Sequence, residues 1–110
     1  MNETSLNEIE AKIRGADNLS EERKSELLQL LGTLKSEVGQ LSRDYDEQAQ
    51  SIAGFTQLSA HEAMRTEQNP QSLQHSLGGL RSSVEGFEKT HPKLVEIVNR
   101  ISNMLADLGI

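Results

Sequence analysis

The sequence predicts an all-α protein: a long antiparallel helical hairpin with a short N-terminal helix, paired with a second copy as a coiled-coil-like homodimeric four-helix bundle. Three observations predict it. Apolar residues recur at alternating spacings of four and three along two long stretches, Leu27 to Phe55 and Leu73 to Leu108. A polar turn sequence, Glu67-Gln68-Asn69-Pro70-Gln71-Ser72, separates them. Phe55, Phe87 and Tyr45 are the only aromatic residues, so a core must be built from Leu, Ile and Val.

The first element is a short helix over 5–15. Ser5-Leu6-Asn7-Glu8 has the form of a capping box, in which the serine accepts a free backbone N–H and the glutamate reaches back. Leu6, Ile9 and Ile13 then share one helical face, and Gly15-Ala16-Asp17-Asn18 ends the helix. Ser20 is the next cap, with Glu21 and Glu22 placed where the helix dipole favours acids.

From Ser20 the pattern predicts a first arm over 20–57, with a possible limit at 66. Its seam is Leu27, Leu31, Leu34, Val38, Leu41, Tyr45, Ile52 and Phe55, interrupted by the polar Gln48. Gly32 and Gly39 lie seven apart beside that seam, either as tolerated surface glycines or as points of close helix approach. The turn is read at 67–72. A second arm over 72–109 follows, with Leu73, Leu77, Leu80, Val84, Phe87, His91, Leu94, Val98, Ile101, Leu105 and Leu108 in one unbroken register. Pro92 starts a helix, capped by Thr90 or His91, and kinks the arm there. Gly78, Gly79, Gly86 and several serines make 72–86 poor helix material, expected to be the most mobile part of that arm. Gly109 is read as the residue that ends the last helix, with Ile110 folding back.

Each arm is about 38 residues and spans roughly 57 Å at about 1.5 Å per residue, so the two match as an antiparallel pair. The seam widens at Leu28 and Leu30 and again at Val95, Ile97 and Met104, which meet at the same end of the hairpin. A lone hairpin would leave each seam half covered, and this is the argument for a homodimer.

Composition bounds the function. The formal charge is −6, and residues 1–50 carry 11 acids against 6 bases. Such a chain is repelled by nucleic acid and by anionic lipid, so neither nucleic acid nor membrane is expected as a partner. With no cysteine, thiolate chemistry, disulfides and Cys-type zinc sites are excluded. No apolar run approaches the ~20 residues of a membrane span, and the polar, acidic start lacks the form of a secretory signal, so a cytoplasmic location is expected.

The candidate chemistry is sparse. His61-Glu62 opens like a zincin helix motif, but Arg65 stands where its second histidine belongs. His75 and His91 are too distant in sequence to form a local metal pair with it. His91 is read as a cap, or as a pH-sensitive packing residue. Asp44, Asp46 and Glu47 lack the form of a calcium loop. No serine sits in a nucleophile elbow, and Gly78-Gly79 is not followed by the Lys-Ser/Thr of a phosphate loop.

The string Phe87-Glu88, His91-Pro92, Leu94, Arg100-Ile101, Leu105 and Leu108-Gly109-Ile110 resembles the signature of a bacterial family known as domain of unknown function 4404. Its members are short helical proteins ending in Gly-Ile. The resemblance is strongest over residues 87–110 and general in the Leu-rich first arm, and the glycines at 78, 79 and 86 depart from it. It implies no activity, cofactor or partner. It does suggest that the His-Pro kink and the Gly-Ile end are structural hallmarks. The expectation is a non-enzymatic structural or protein–protein interaction module, a homodimer without cofactor or bound metal, engaging a further protein of unknown identity. The alternatives are a small-ligand- or metal-responsive bundle and a peripheral membrane accessory protein.

Overall fold

Two short breaks divide the expected arms, so that the described residues form five helices: α1 (Asn2–Arg14), α2 (Glu21–Leu41), α3 (Asp46–Ala63), α4 (Pro70–Ser83) and α5 (Pro92–Leu108). The computed structural model describes residues 2–108, and the side chains of 5–108. The Gly109-Ile110 reading lies outside them.

Several ends fall where local chemistry places them. Ser20 caps α2, its Oγ accepting the Arg23 N–H at 3.1 Å, with Glu21 and Glu22 in the first turn. Asn69 caps α4, its Oδ1 accepting the Ser72 N–H at 3.1 Å, and Pro70 takes the first turn, where no N–H is needed. Pro92 starts α5 for the same reason.

Other expectations need correction. The first helix begins at Asn2, so Ser5 and Glu8 lie inside it and form no capping box at its start. The arm over 20–57 is not one helix. It ends at Leu41, turns through 42–45, and resumes as α3, which runs past Gln57 to Ala63. At this break Ser42 Oγ donates to Gly39 O at 2.8 Å, an alternative to helix continuation that Ser offers the backbone. Asp46 and Glu47 then sit in the first turn of α3, where acids favour a new N-terminus. The turn read at 67–72 occupies 64–69 instead, because the Asn69-Pro70 pair starts α4. The second arm over 72–109 is interrupted through 84–91, not merely kinked at Pro92. Gly86 there has a φ of 95°, a conformation that an α-helix does not admit.

Consequently no 57 Å arm exists among the described residues, whose greatest principal extent is 37 Å. α3 packs chiefly on α4, and α2 on α1 and α5 alike, but α3 and α4 also reach α5, and α2 reaches α3. The breaks let each arm fold over the shared core. α1 lies against α2 and α3 and completes it.

This closure covers both seams within one chain. Leu27, Leu31, Leu34, Val38, Leu41, Ile52, Leu77, Leu80, Val84, Leu94, Val98, Ile101 and Leu105 are all buried within one chain. Phe55, Phe87 and Leu108 are half-buried against the same core, and Tyr45 alone of the seam is exposed, at 45%. The side chains Leu6, Ile9 and Ile13 of α1 cover what two bare arms would leave open.

The register also changes at the first break. Gln48 is exposed, and its neighbour Ala49 is buried in its place. From there α3 turns a face of small residues inward: Ala49, Ala53, Thr56, Ser59, Ala60 and Ala63, with Ile52 the one large aliphatic among them. Thr56 Oγ1 is satisfied by Ile52 O at 2.7 Å. Small side chains let helix backbones approach closely. The consequence is plainest at Gly79 of α4, where an added Cβ would run into the Phe55 ring of α3.

Candidate functional site

One open concavity lies where the α1–α2 loop meets the α3–α4 loop. Its volume is about 440 Å³. The end of α1 and its loop supply Lys12, Ala16 and Asn18. The last turn of α3 supplies His61, and the loop after it Met64, Arg65, Thr66 and Glu67. Met64 and Ala16 are half-buried and pack on the core, so the floor is apolar while the rim is polar and carries both signs of charge.

The loop 64–69 is held from two sides. Arg65 Nη1 donates to Glu62 Oε1 at 2.9 Å, and Glu62 is itself buried on α3. That carboxylate is stabilised by its charged partner, without which its burial would be costly. Gln68 Nε2 donates to Ala63 O at 2.9 Å and to Leu108 O at 3.3 Å, tying the loop to the end of α5. The rim therefore stands on anchored backbone.

A second feature joins the two breaks. Tyr45, from the 42–45 turn, packs edge-to-face on Phe87 with ring centroids 5.5 Å apart, and His91 is 5.5 Å from Phe87 and 6.5 Å from Tyr45 in the same manner. Perpendicular rings set a positive edge against a negative face. The sequence reading placed all three residues in the apolar seam; the structure brings them together as a surface corner that pins the two breaks. Neither capping alternative takes the form of a side-chain cap: His91 Nδ1 is 3.0 Å from Thr90 Oγ1, and the His91 N–H donates to Phe87 O at 2.7 Å.

The remaining candidates stay separate. His61 is exposed on α3, His75 is exposed on α4, and His91 is half-buried before α5. Among the described residues no group of three or more His, Asp or Glu is placed to hold a metal ion. Asp44, Asp46 and Glu47 are exposed at the α2–α3 turn, where Asp46 Oδ2 accepts from Gln50 Nε2 at 2.8 Å. Gly32 and Gly39 border a shallow groove on α2, and among the described residues nothing lies within 4 Å of where their Cβ atoms would be, so they mark no close helix approach there. Among the described residues no helix is long and apolar enough to cross a membrane.

The comparisons with known proteins agree with the C-terminal resemblance and extend it. The family model described as a domain of unknown function, DUF4404, matches residues 27–110. The chain belongs to the DUF4404 family. No curated protein and no solved structure matches it. The DUF4404 stretch takes in most of α2 and all of α3, α4 and α5, so Leu6, Ile9 and Ile13 of α1 are core residues from outside it. One wall of the concavity, His61 to Glu67, belongs to the family stretch, whereas the Lys12–Asn18 wall does not. Sequence reasoning missed Lys12, Met64 and Arg65. No motif marks them, since they meet only because α1 seats beside α3.

Proposed function

We propose that this protein is a non-enzymatic protein–protein interaction module, working in the cytoplasm, that engages its partner at the concavity between the 15–20 and 64–69 loops. One observation carries the reading. A half-buried Met64 and Ala16 form an apolar floor inside a rim of Lys12, His61, Arg65 and Glu67, on loops held by Glu62 and Gln68. An apolar centre with a charged, hydrogen-bonding rim is the make-up of a protein-binding patch. Methionine suits such a floor because its unbranched side chain adapts to the surface it meets.

The test is affinity capture from the native cell with the parent chain and with a Lys12→Glu/His61→Glu variant. Both side chains are exposed, so the fold should be kept, with a melting temperature lower by only a few degrees because each sits in the last turn of a helix, where an acid is disfavoured. A partner retained by the parent and lost by the variant is the expected result. A partner retained equally by both would remove the concavity from the interface.

A further inference from the structure

Joining the two breaks accounts for only part of the corner formed by Tyr45, Phe87 and His91. A joint needs an apolar side chain pressed on Phe87, not one left in water. Tyr45 is nevertheless 45% exposed, while Phe87 and His91 are half-buried. The three rings stand at 71°, 90° and 87° to one another. An edge-to-face contact uses the face of one ring and only the edge of the other. With Tyr45 exposed, aromatic surface stays open at the corner.

The charge around these rings leans one way. Within two positions of them stand five acids, Asp44, Asp46, Glu47, Glu85 and Glu88, against three bases, Arg43, Lys89 and Lys93. All eight are exposed, and among the described residues none of them forms an ion pair. The nearby bases therefore do not close off the carboxylates. Asp46 Oδ2 accepts from Gln50 Nε2 at 2.8 Å, and Glu88 Oε2 accepts from the Gly86 N–H at 2.6 Å. Both donors are neutral and leave the negative charge in place. Asp46 and Glu47 also favour the start of α3, but Asp44 precedes that helix and Glu85 lies in the 84–91 break, so the helix dipole explains neither.

Open aromatic surface beside unpaired carboxylates suits a cation that can use both. Arginine is that cation. Its guanidinium is planar and weakly hydrated, lies flat on a ring face, and matches a carboxylate with two N–H groups. The ammonium of lysine is a compact, strongly hydrated point charge that gains less from the ring.

We propose that the Tyr45 corner is a second docking surface, which takes an arginine side chain from a basic segment of a partner protein. The guanidinium lies against the Tyr45 ring, and the surrounding carboxylates, Asp44 foremost, meet its charge. This surface is independent of the concavity. The corner lies at the start of α3 and the concavity at its end, and 18 residues of helix span about 27 Å.

The test titrates the isotope-labelled full chain with a short peptide alternating arginine and glycine, and with its lysine counterpart, following the backbone amide signals. Shifts should centre on 43–47 and 84–91, with the arginine peptide bound about threefold tighter or more. Tyrosine fluorescence is a second readout, because Tyr45 is the only tyrosine and the chain has no tryptophan. D44N/E85Q alters two exposed side chains outside the helices and should weaken arginine binding about fivefold. E22Q/E26Q removes the same charge more than about 20 Å away along α2 and should change it by less than about twofold. Tyr45→Leu leaves the charge unchanged and should bring the two peptides to equal affinity. No binding of either peptide, shifts scattered over the whole acidic surface, equal losses in the two charge variants, or an arginine preference that survives in Tyr45→Leu would each overturn the proposal.

Discussion

Two adjacent glycines in α4 should respond in opposite directions to the same substitution. Alanine is favoured over glycine inside a helix by about 1 kcal/mol, because glycine loses more backbone freedom. At Gly78 nothing lies within 4 Å of the new Cβ, so Gly78→Ala should stabilise by about that amount. At Gly79 the Cβ would lie 2.7 Å from Phe55 Cδ1, 2.9 Å from its Cζ and nearer still to its Cε1. Carbon atoms prefer separations of about 3.5–4.0 Å, so the ring or the helix must shift by roughly 1 Å. Overpacking of this kind costs about 1–3 kcal/mol. Set against the same helix gain, Gly79→Ala should destabilise by about 1 kcal/mol. The two variants should then differ by about 2 kcal/mol, which for a chain of this size is about 8–10 °C in melting temperature. Thermal and urea unfolding followed by circular dichroism would measure it, with an unchanged urea dependence as the check on two-state behaviour. In a Phe55→Leu background the ring edge is gone and the penalty at 79 should largely vanish. If both alanines raise stability equally in the parent chain, close contact between α3 and α4 at this point is wrong.

Substitutions at five further positions probe other parts of the fold by the same unfolding assay. Gly86→Ala should cost about 1–2 kcal/mol, since a φ of 95° is strained for any residue with a Cβ; no loss would mean that the 84–91 break does not need this conformation. Asn69→Ala should cost about 1 kcal/mol by freeing the Ser72 N–H, whereas Asn69→Ser should retain most of it. Ser59 and Ser102 are buried with hydroxyls that lack a hydrogen-bond partner among the described residues, so either alanine variant should gain about 1 kcal/mol; a loss would point to a bond that the geometry does not contain. Ile13→Ala should cost about 2–5 kcal/mol, because its fully buried side chain closes the groove between α2 and α3, and a cost near zero would mean that α1 contributes little to the core.

Where the sequence was legible, one turn of helix carried the signal. Ser20 before Glu21-Glu22, Asn69 before Pro70, and Pro92 itself all start helices, because caps and proline act on backbone groups within a few residues. The seam residues were legible as core for a related reason: a spacing of three and four places them on one face whatever that face packs against. The two breaks were not legible from spacing. The four–three alternation passes through Tyr45, Phe87 and His91 as if the helices continued, yet these residues meet as rings where two turns come together. The inward face of α3 was hidden as well, since alanine and serine are compatible with either side of a helix. The concavity was unreadable because Lys12 and Arg65 are 53 positions apart and carry no motif.

Helical class, the identity of most core residues and membership of the DUF4404 family were set by the sequence alone, because they depend on local propensity, periodicity and short-range pattern. The number of helices, the seating of α1 and the covering of both seams by one chain were decided only in three dimensions. A helix of 38 residues exposes an apolar stripe along its whole length. Turning back at Ser42–Tyr45 and at Val84–His91 lets the same residues cover one another. That gain in buried surface outweighs the few helical hydrogen bonds lost at each turn, and neither its size nor its partners can be seen from one stretch of chain.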